Sequence, residues 1–369
     1  MIWLFGAILR AMKKYLIFKA GRGIYDIIRE EGLKRDRVRA FAGPAGGPKW
    51  FVSVGFDKAL IETGFLIRAD RSRTLLAGSS AGAWRCLAMA CKNPLDAYEK
   101  LRIAYSRNIF TAQDTAWSIS AKLQQTVESF ISDEDIGTII NNPKFRLAIH
   151  VVRSKGAAAS SRRWVEGIAL LSAGMMNVMS SKLMNLFYER VIFYTGKERP
   201  GFLLKTFDGS SYELMLGNVK QVALATGSLP YIIAGVKNIP GMEGEVFRDG
   251  GLLDYQLNQD YDPGEEGITL FFHYQDRITP GWFDKGLSWR KPADMVTDRV
   301  LQIYPGQDFV DMLPDKRIPD RDDFRTFVDN PSERIKRWDK VSDMSAILAD
   351  YFFEAIESGK IKEMVSPIG

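Results

Sequence analysis

Three short segments hold residue types that could carry chemistry together. The first is Gly78-Ser79-Ser80-Ala81-Gly82, a G-x-S-x-G pattern that follows the apolar run Thr74-Leu75-Leu76-Ala77 and precedes Ala83-Trp84-Arg85-Cys86-Leu87. A serine held on a sharp turn between strand and helix projects above the sheet edge, and such a turn needs small residues two before and two after it. Gly78 and Gly82 occupy those places. The positive end of the following helix favours negative charge developing at the serine. The pattern alone is common, and it is the strand before and the helix after that make Ser80 a nucleophile for acyl transfer.

Acyl transfer also needs donors for the tetrahedral oxyanion, usually backbone N–H groups held by a glycine-rich turn. Gly43-Pro44-Ala45-Gly46-Gly47-Pro48-Lys49 is such a turn, placed after one expected strand and before one expected helix. A phosphate loop or a plain connection remains open for it, although a Walker A pattern fails at Gly47-Pro48 and no G-x-G-x-x-G is present. The third segment, Phe247-Arg248-Asp249-Gly250-Gly251, puts a carboxylate at an expected strand end, followed by two glycines that permit close approach. Alone, Asp-Gly-Gly is more often a turn.

In this order the three segments resemble the patatin-like phospholipase family, whose pattern is a glycine-rich oxyanion loop ending in a basic residue, a G-x-S-x-G elbow, and Asp-Gly-Gly or Asp-Gly-Ala. Ala223-Leu224-Ala225-Thr226-Gly227-Ser228-Leu229-Pro230 is similar to that family's small-residue helix end, so the resemblance covers about residues 37–257. It implies a three-layer α/β/α sandwich around a mainly parallel sheet. It further implies a serine acyl hydrolase of lipid or phospholipid esters that uses no cofactor or metal. Carried over, Ser80 is the nucleophile and Asp249 its partner in a dyad. Gly46 and Gly47 are the oxyanion donors in a loop that Lys49 ends, and Gly78, Gly82, Gly250 and Gly251 support the motifs. The chain departs from the family pattern at Ala45 and Trp50, where glycines are usual, and at Lys49, where arginine is commoner. Pro48 has no N–H to give. An aspartate near its ordinary pKa of about 3.9 is a weak base, so partial burial of Asp249 is expected to raise it.

Two other readings stay open. An α/β-hydrolase would use Ser80, Asp249 and His273, but that fold lays down several strands before its elbow and only 79 residues precede Ser80. His150 and His273, the only two histidines, each sit inside an apolar run and read as structural. A catalytically idle membrane-binding or scaffold protein could keep the same fold.

The elements that must position these segments follow from periodicity. Strands are expected at 37–42, 73–77, 145–153, 189–195, 245–248 and 268–274. Helices are expected at 22–32, from the glycine-rich turn to about Glu62, at 82–89, 95–106, 117–131, 164–187 and 217–226, and from Asn330-Pro331-Ser332 to Gly359. The repeated β-loop-α order is an α/β signature. The Met- and Leu-rich stretch 167–186 is either an apolar wall over an acyl chain or a buried core helix, since methionine suits both. Residues 276–330, rich in Pro, Asp and Arg, read as a long, partly irregular excursion. The organisation expected is an N-terminal amphipathic and helical segment (1–36), a catalytic domain (37–275) and a C-terminal extension (276–369) whose last helix packs on that domain.

The 369 residues, 46% hydrophobic and 26% charged, suit a globular protein. The net charge of +5 shows no basic stripe, so no nucleic-acid partner is expected. The run 167–181 falls short of the ~18 apolar residues of a spanning helix. In residues 1–14 the charges follow the apolar run, the reverse of a secretory signal. Met1, Leu4, Phe5, Ile8 and Met12 share one helical face against Arg10, Lys13 and Lys14, the pattern of an interfacial helix. A cytoplasmic protein, peripheral at a membrane surface through residues 1–14, is therefore expected. Cys86 and Cys91 are five apart on an expected helix, which turns them away from one another and argues against a local disulfide.

Overall fold

Strands β2 (Val38–Gly43), β3 (Thr74–Ser79) and β4 (Phe145–Ser154) are built mainly of apolar or small residues and are buried along nearly their whole length. That is what parallel strands in the middle of a sheet require. The computed structural model describes residues 14–205 and 207–369, and in it these strands form the centre of an eleven-stranded sheet. The order is β11 (Val365–Pro367), β1 (Leu16–Ala20), β10 (Val300–Pro305), β9 (Ile268–Phe272), β2, β3, β4, β5 (Tyr188–Tyr194), β6 (Ser210–Glu213). The hairpin β7 (Val236–Ile239) and β8 (Met242–Asp249) joins through β4. Pairings from β10 through β9, β2 and β3 to β4 are all parallel, whereas β1–β10, β4–β5, β4–β8 and β7–β8 are antiparallel. The protein is α/β with a mostly parallel sheet between two outer layers.

Alternation along the strands separates the two layers. Phe41, Leu76, Leu147 and Ile149 point into the larger core, which helices α2 (Val54–Glu62), α3 (Ala81–Met89), α8 (Val219–Thr226) and α10 (Ala346–Glu357) close with Phe56, Leu87, Val222 and Phe352. Leu75, Ala77, Ala148 and Ile192 point the other way, against Phe202, Tyr261 and Ile278. That second layer is short helical turns and coil, extended by α7 (Arg163–Met179), whose Ala169 and Ala173 pack with Val152 and Tyr188.

Most expected elements stand where the sequence puts them, including α1 (Arg22–Glu31), which Gly32 ends at φ 78°. Four differ. Residues 276–330 are no mere excursion, because β10 lies within them and sits inside the sheet between β1 and β9. The N-terminal segment contributes β1 besides its helix. The helix expected over 164–187 stops at Met179, where Ser180 turns to extended backbone before a 3-10 turn at Ser181–Leu186. The last helix is two, α9 (Pro331–Met344) and α10, parted at Ser345. Of the amphipathic segment 1–14, residues 1–13 lie outside the described residues.

Candidate active site

Strand β4 aligns the two ends that matter. Residues Phe145–His150 pair with β3, so Ser79 lies opposite His150. The next residues on the same edge, Val151–Arg153, pair with β8 arriving from the opposite direction, so Asp249 lies opposite Val151. The other edge of β4 is taken by β5. β3 and β8 therefore meet end to end along one strand, and Ser80 and Asp249, the first residue past β3 and the last of β8, are brought together.

The turn at Ser80 is as sharp as the glycine spacing implies. A Cβ on Gly78 would lie 2.8 Å from the Gly43 carbonyl oxygen, one on Gly43 would lie 2.6 Å from the Gly82 oxygen, and one on Gly82 would collide with the Gly43 carbonyl. Only glycines let β2, β3 and the start of α3 approach this closely. Ser80 itself has φ 54° and ψ −130°, a region that costs a non-glycine residue about 1–3 kcal/mol. The surroundings hold it there. The Ser80 N–H donates to Thr226 Oγ1 at 2.8 Å, the Thr226 hydroxyl donates to the His150 carbonyl at 2.6 Å, and the Ser79 hydroxyl donates to the Asp254 carbonyl at 2.7 Å. Beneath the elbow, Arg85 of α3 makes a two-point bond with Asp57 of α2 at 2.6 and 2.8 Å, and the Tyr98 hydroxyl donates to the same carboxylate. All three are buried.

Asp249 is 1% exposed and Ser80 6%. The Asp249 N–H donates to the Ser228 carbonyl at 3.0 Å, and its Oδ1 accepts the Gly251 N–H at 2.7 Å. Gly250 is required because a Cβ there would strike the His150 carbonyl. Burial pushes the Asp249 pKa up to about 6, against the opposite pull of Arg321, the Gly251 N–H, the Ser80 hydroxyl and Lys285. Ser80 is close enough to favour the carboxylate, yet Oδ2 has no partner within ordinary hydrogen-bond limits. Such bonds commonly tighten only when substrate is bound. The pair suits proton transfer near neutral pH, with one oxygen anchored and the other free.

In the glycine-rich turn, Ala45 is committed. Its N–H donates to the Tyr255 carbonyl at 2.8 Å, and its carbonyl accepts the Tyr274 hydroxyl. The N–H groups of Gly46 and Gly47 have no protein acceptor among the described residues. Gly47, at φ 57°, begins the 3-10 turn Gly47–Ser53, and a Cβ on Gly46 would lie 2.6 Å from the Tyr274 hydroxyl oxygen. Lys49 turns its ammonium over the Tyr274 ring at 5.2 Å, with Asp320 at 3.9 Å. Trp50 is buried edge-on to Tyr98 and Tyr105.

Neither histidine joins the pair. His273 is fully buried, its Nε2 lies 3.1 Å from the Arg277 carbonyl oxygen, and burial lowers its pKa to about 3. His150 is clasped between Asp254 and Tyr261, each at 3.3 Å. Cys86 and Cys91 are buried free thiols. A cavity of about 550 Å³ lined by Leu60, Ile67, Met89, Pro94 and Phe145 opens at the start of β3 and β4. That is the wrong end of the sheet, since open α/β sheets bind ligands beyond the carboxyl ends of their strands.

Sequence reasoning missed four residues here. Thr226 and Ser228 position the two members of the pair, and Lys285 and Arg321 face it from the C-terminal region. The run Ala223–Pro230 stands out in the sequence, but the roles of Thr226 and Ser228 depend on partners far away in the chain. Lys285 and Arg321 carry no local signal.

Nor is α7 a core helix. It buries Glu166, Ala169, Ala173 and Asn177, and leaves Leu171, Met175 and Met179 at 68%, 66% and 78% exposure beside exposed Trp164 and Ile168. Among the described residues no helix is long and apolar enough to cross a membrane. In comparisons with known proteins, no protein family and no curated sequence matches the chain.

Proposed function

We propose that the protein is a serine acyl hydrolase of lipid esters, a patatin-like enzyme working through a Ser80–Asp249 dyad. The observation that carries this is the meeting of β3 and β8 on β4, which sets a serine in a strained elbow against a buried aspartate whose pKa is raised to about 6. In the reaction the Asp249 carboxylate accepts the Ser80 proton as Oγ attacks the ester carbonyl. The N–H groups of Gly46 and Gly47 receive the oxyanion, the departing alcohol takes the proton back, and water then releases the acyl group by the same route. The exposed apolar face of α7 supports a lipid as substrate, because a contiguous apolar surface of this kind suits contact with aggregated chains.

A fluorophosphonate probe tests the reading. Covalent capture on Ser80 by the wild-type protein, and its loss in Ser80→Ala, is the expected result, and no capture at any probe concentration refutes catalysis by this serine.

A further inference from the structure

The cations around the site come from three separated parts of the chain. Lys49 closes the glycine-rich turn. Lys285 belongs to the 3-10 turn Trp282–Gly286, and its ammonium lies 4.4 Å from the centre of the Tyr255 ring and 5.5 Å from that of Trp282. Arg321 crosses the turn itself, since a Cβ on Gly47 would lie 2.8 Å from Arg321 Nε and 3.0 Å from its Cγ. Tyr255 stands beside the dyad, because the same construction on Gly251 meets Asp249 Oδ1 at 3.0 Å and the Tyr255 ring at 3.4 Å.

Three positive groups thus converge on Ser80, Asp249 and the two free N–H groups. Facing them are two carboxylates, Asp249, which belongs to the dyad, and Asp320, which is 3.9 Å from Lys49. Arg321 and Lys285 make no side-chain hydrogen bond or salt bridge among the described residues. Lys285 is exposed as a residue, yet its ammonium end turns inward. There desolvation, with Arg321 and Lys49 nearby, lowers its pKa to about 8. Cations crowded together without matching anions raise one another's energy, and an incoming anion relieves that cost.

We propose that Lys49, Lys285 and Arg321 form an anion subsite at the Ser80–Asp249 site, so that the ester it takes carries a phosphate or carboxylate group close to the scissile carbonyl. The inference rests on the acyl-hydrolase reading for the word ester, but the subsite is a matter of binding and is tested without turnover. An arginine and two lysines suit an oxyanion with several acceptors, Arg321 offering its planar fork and the lysines point charges. Two of the three residues lie in the C-terminal region that sequence reasoning left without a role.

The test uses the full-length Ser80→Ala protein and calorimetry, with three single-chain ligands of equal acyl length held below their micelle concentrations. These are a monoacylglycerol, the same molecule bearing a phosphate, and the same molecule bearing a succinate half-ester. The expected result is binding at least ~10-fold tighter for one or both anionic ligands, the scale of one charge-assisted hydrogen bond. Which of the two binds tighter identifies the group. Arg321→Gln and, separately, Lys285→Met should each erase most of that preference. Lys285 is exposed as a residue and makes no side-chain hydrogen bond or salt bridge among the described residues, so its variant remains informative if Arg321→Gln folds poorly by circular dichroism. Equal affinity for neutral and anionic ligands overturns the subsite, and so do variants that weaken all three ligands equally. Fluorophosphonate capture by the wild-type protein is scored separately, so a retained anion preference without capture removes the hydrolase reading and leaves the subsite standing.

Discussion

Replacing Asp249 by Asn should inactivate the protein and make it more stable, and the size of the gain should depend on pH. In the folded chain burial raises this carboxyl from an ordinary 3.8 to about 6. A group whose folded pKa is raised contributes stability below its unfolded pKa and loses it as pH rises through the folded value. Between those two values the wild type therefore loses about 3 kcal/mol, at about 1.36 kcal/mol for each pH unit separating them. Asparagine resembles the protonated acid and carries no such loss. Its carbonyl oxygen can keep the bond from the Gly251 N–H, and its NH2 takes the place of Oδ2, which has no partner to lose. Asp249→Asn should then exceed the wild type in unfolding free energy by about 3 kcal/mol at pH 8 and by about 1.5 kcal/mol at pH 5. Urea unfolding at the two pH values reads this directly. Turnover should fall by at least ~10²-fold with the general base removed, while wild-type kcat/KM rises with pH to a plateau above about 6. A variant no more stable than wild type at pH 8, or a gain that does not shrink at pH 5, would refute a buried carboxylate held ionised for use.

Further outcomes follow from the same geometry. Ser80→Ala should abolish ester hydrolysis with the fold retained by circular dichroism, whereas Ser79→Ala, losing only the buried bond to the Asp254 carbonyl, should cost about 1 kcal/mol of stability and keep most activity. Thr226→Val removes the acceptor for the Ser80 N–H and the donor to the His150 carbonyl, so kcat should fall more than KM rises, and Thr226→Ser should restore it. Asp57→Ala strands the buried Arg85 guanidinium and should lower unfolding free energy by about 3–5 kcal/mol in a urea titration. Leu171→Glu with Met175→Glu should depress hydrolysis of vesicle lipid while sparing a short soluble ester. Equal loss on both substrates would contradict a surface role for α7.

The sequence made the core of the sheet legible because central parallel strands are largely apolar runs, and apolar or small residues predominate in β2, β3 and β4. It made the elbow legible because close backbone approach at Gly78 and Gly82 admits one residue type. Strand β10 was hidden by its own chemistry. Gln302 interrupts the run yet is fully buried, its NH2 donating to the carbonyls of Gln275 and Asp276, partners more than two dozen residues away. β1 was hidden by its brevity and by Lys19, whose ammonium reaches solvent and Asp276. Whether α7 faced inward could not be read from its composition. Alanines at 169 and 173 sufficed to bury one side, which left the larger apolar residues to face out.

The C-terminal region is best understood through what it ties together. Asp284, next to Lys285, accepts from the Asn177 amide of α7 at 2.7 Å and from the Gly281 N–H at 3.0 Å, while Arg290 donates to the Asn177 carbonyl at 2.9 Å. The segment bearing Lys285 is thereby fastened to the helix whose apolar face is exposed. Farther along, the Asp323 carboxylate accepts from the Trp338 indole at 2.8 Å and from Arg317, fixing the loop of Arg321 against α9. Both cations thus stand on short segments anchored by buried carboxylates rather than on free loops. This matters for the dyad, because Arg321 and Lys285 pull the Asp249 pKa down while burial drives it up. Without those two charges the carboxyl would be still harder to ionise near neutral pH. The region that sequence periodicity leaves undefined therefore acts electrostatically on Asp249, and in the proposed hydrolase the pH at which hydrolysis turns on should move upward when either cation is removed.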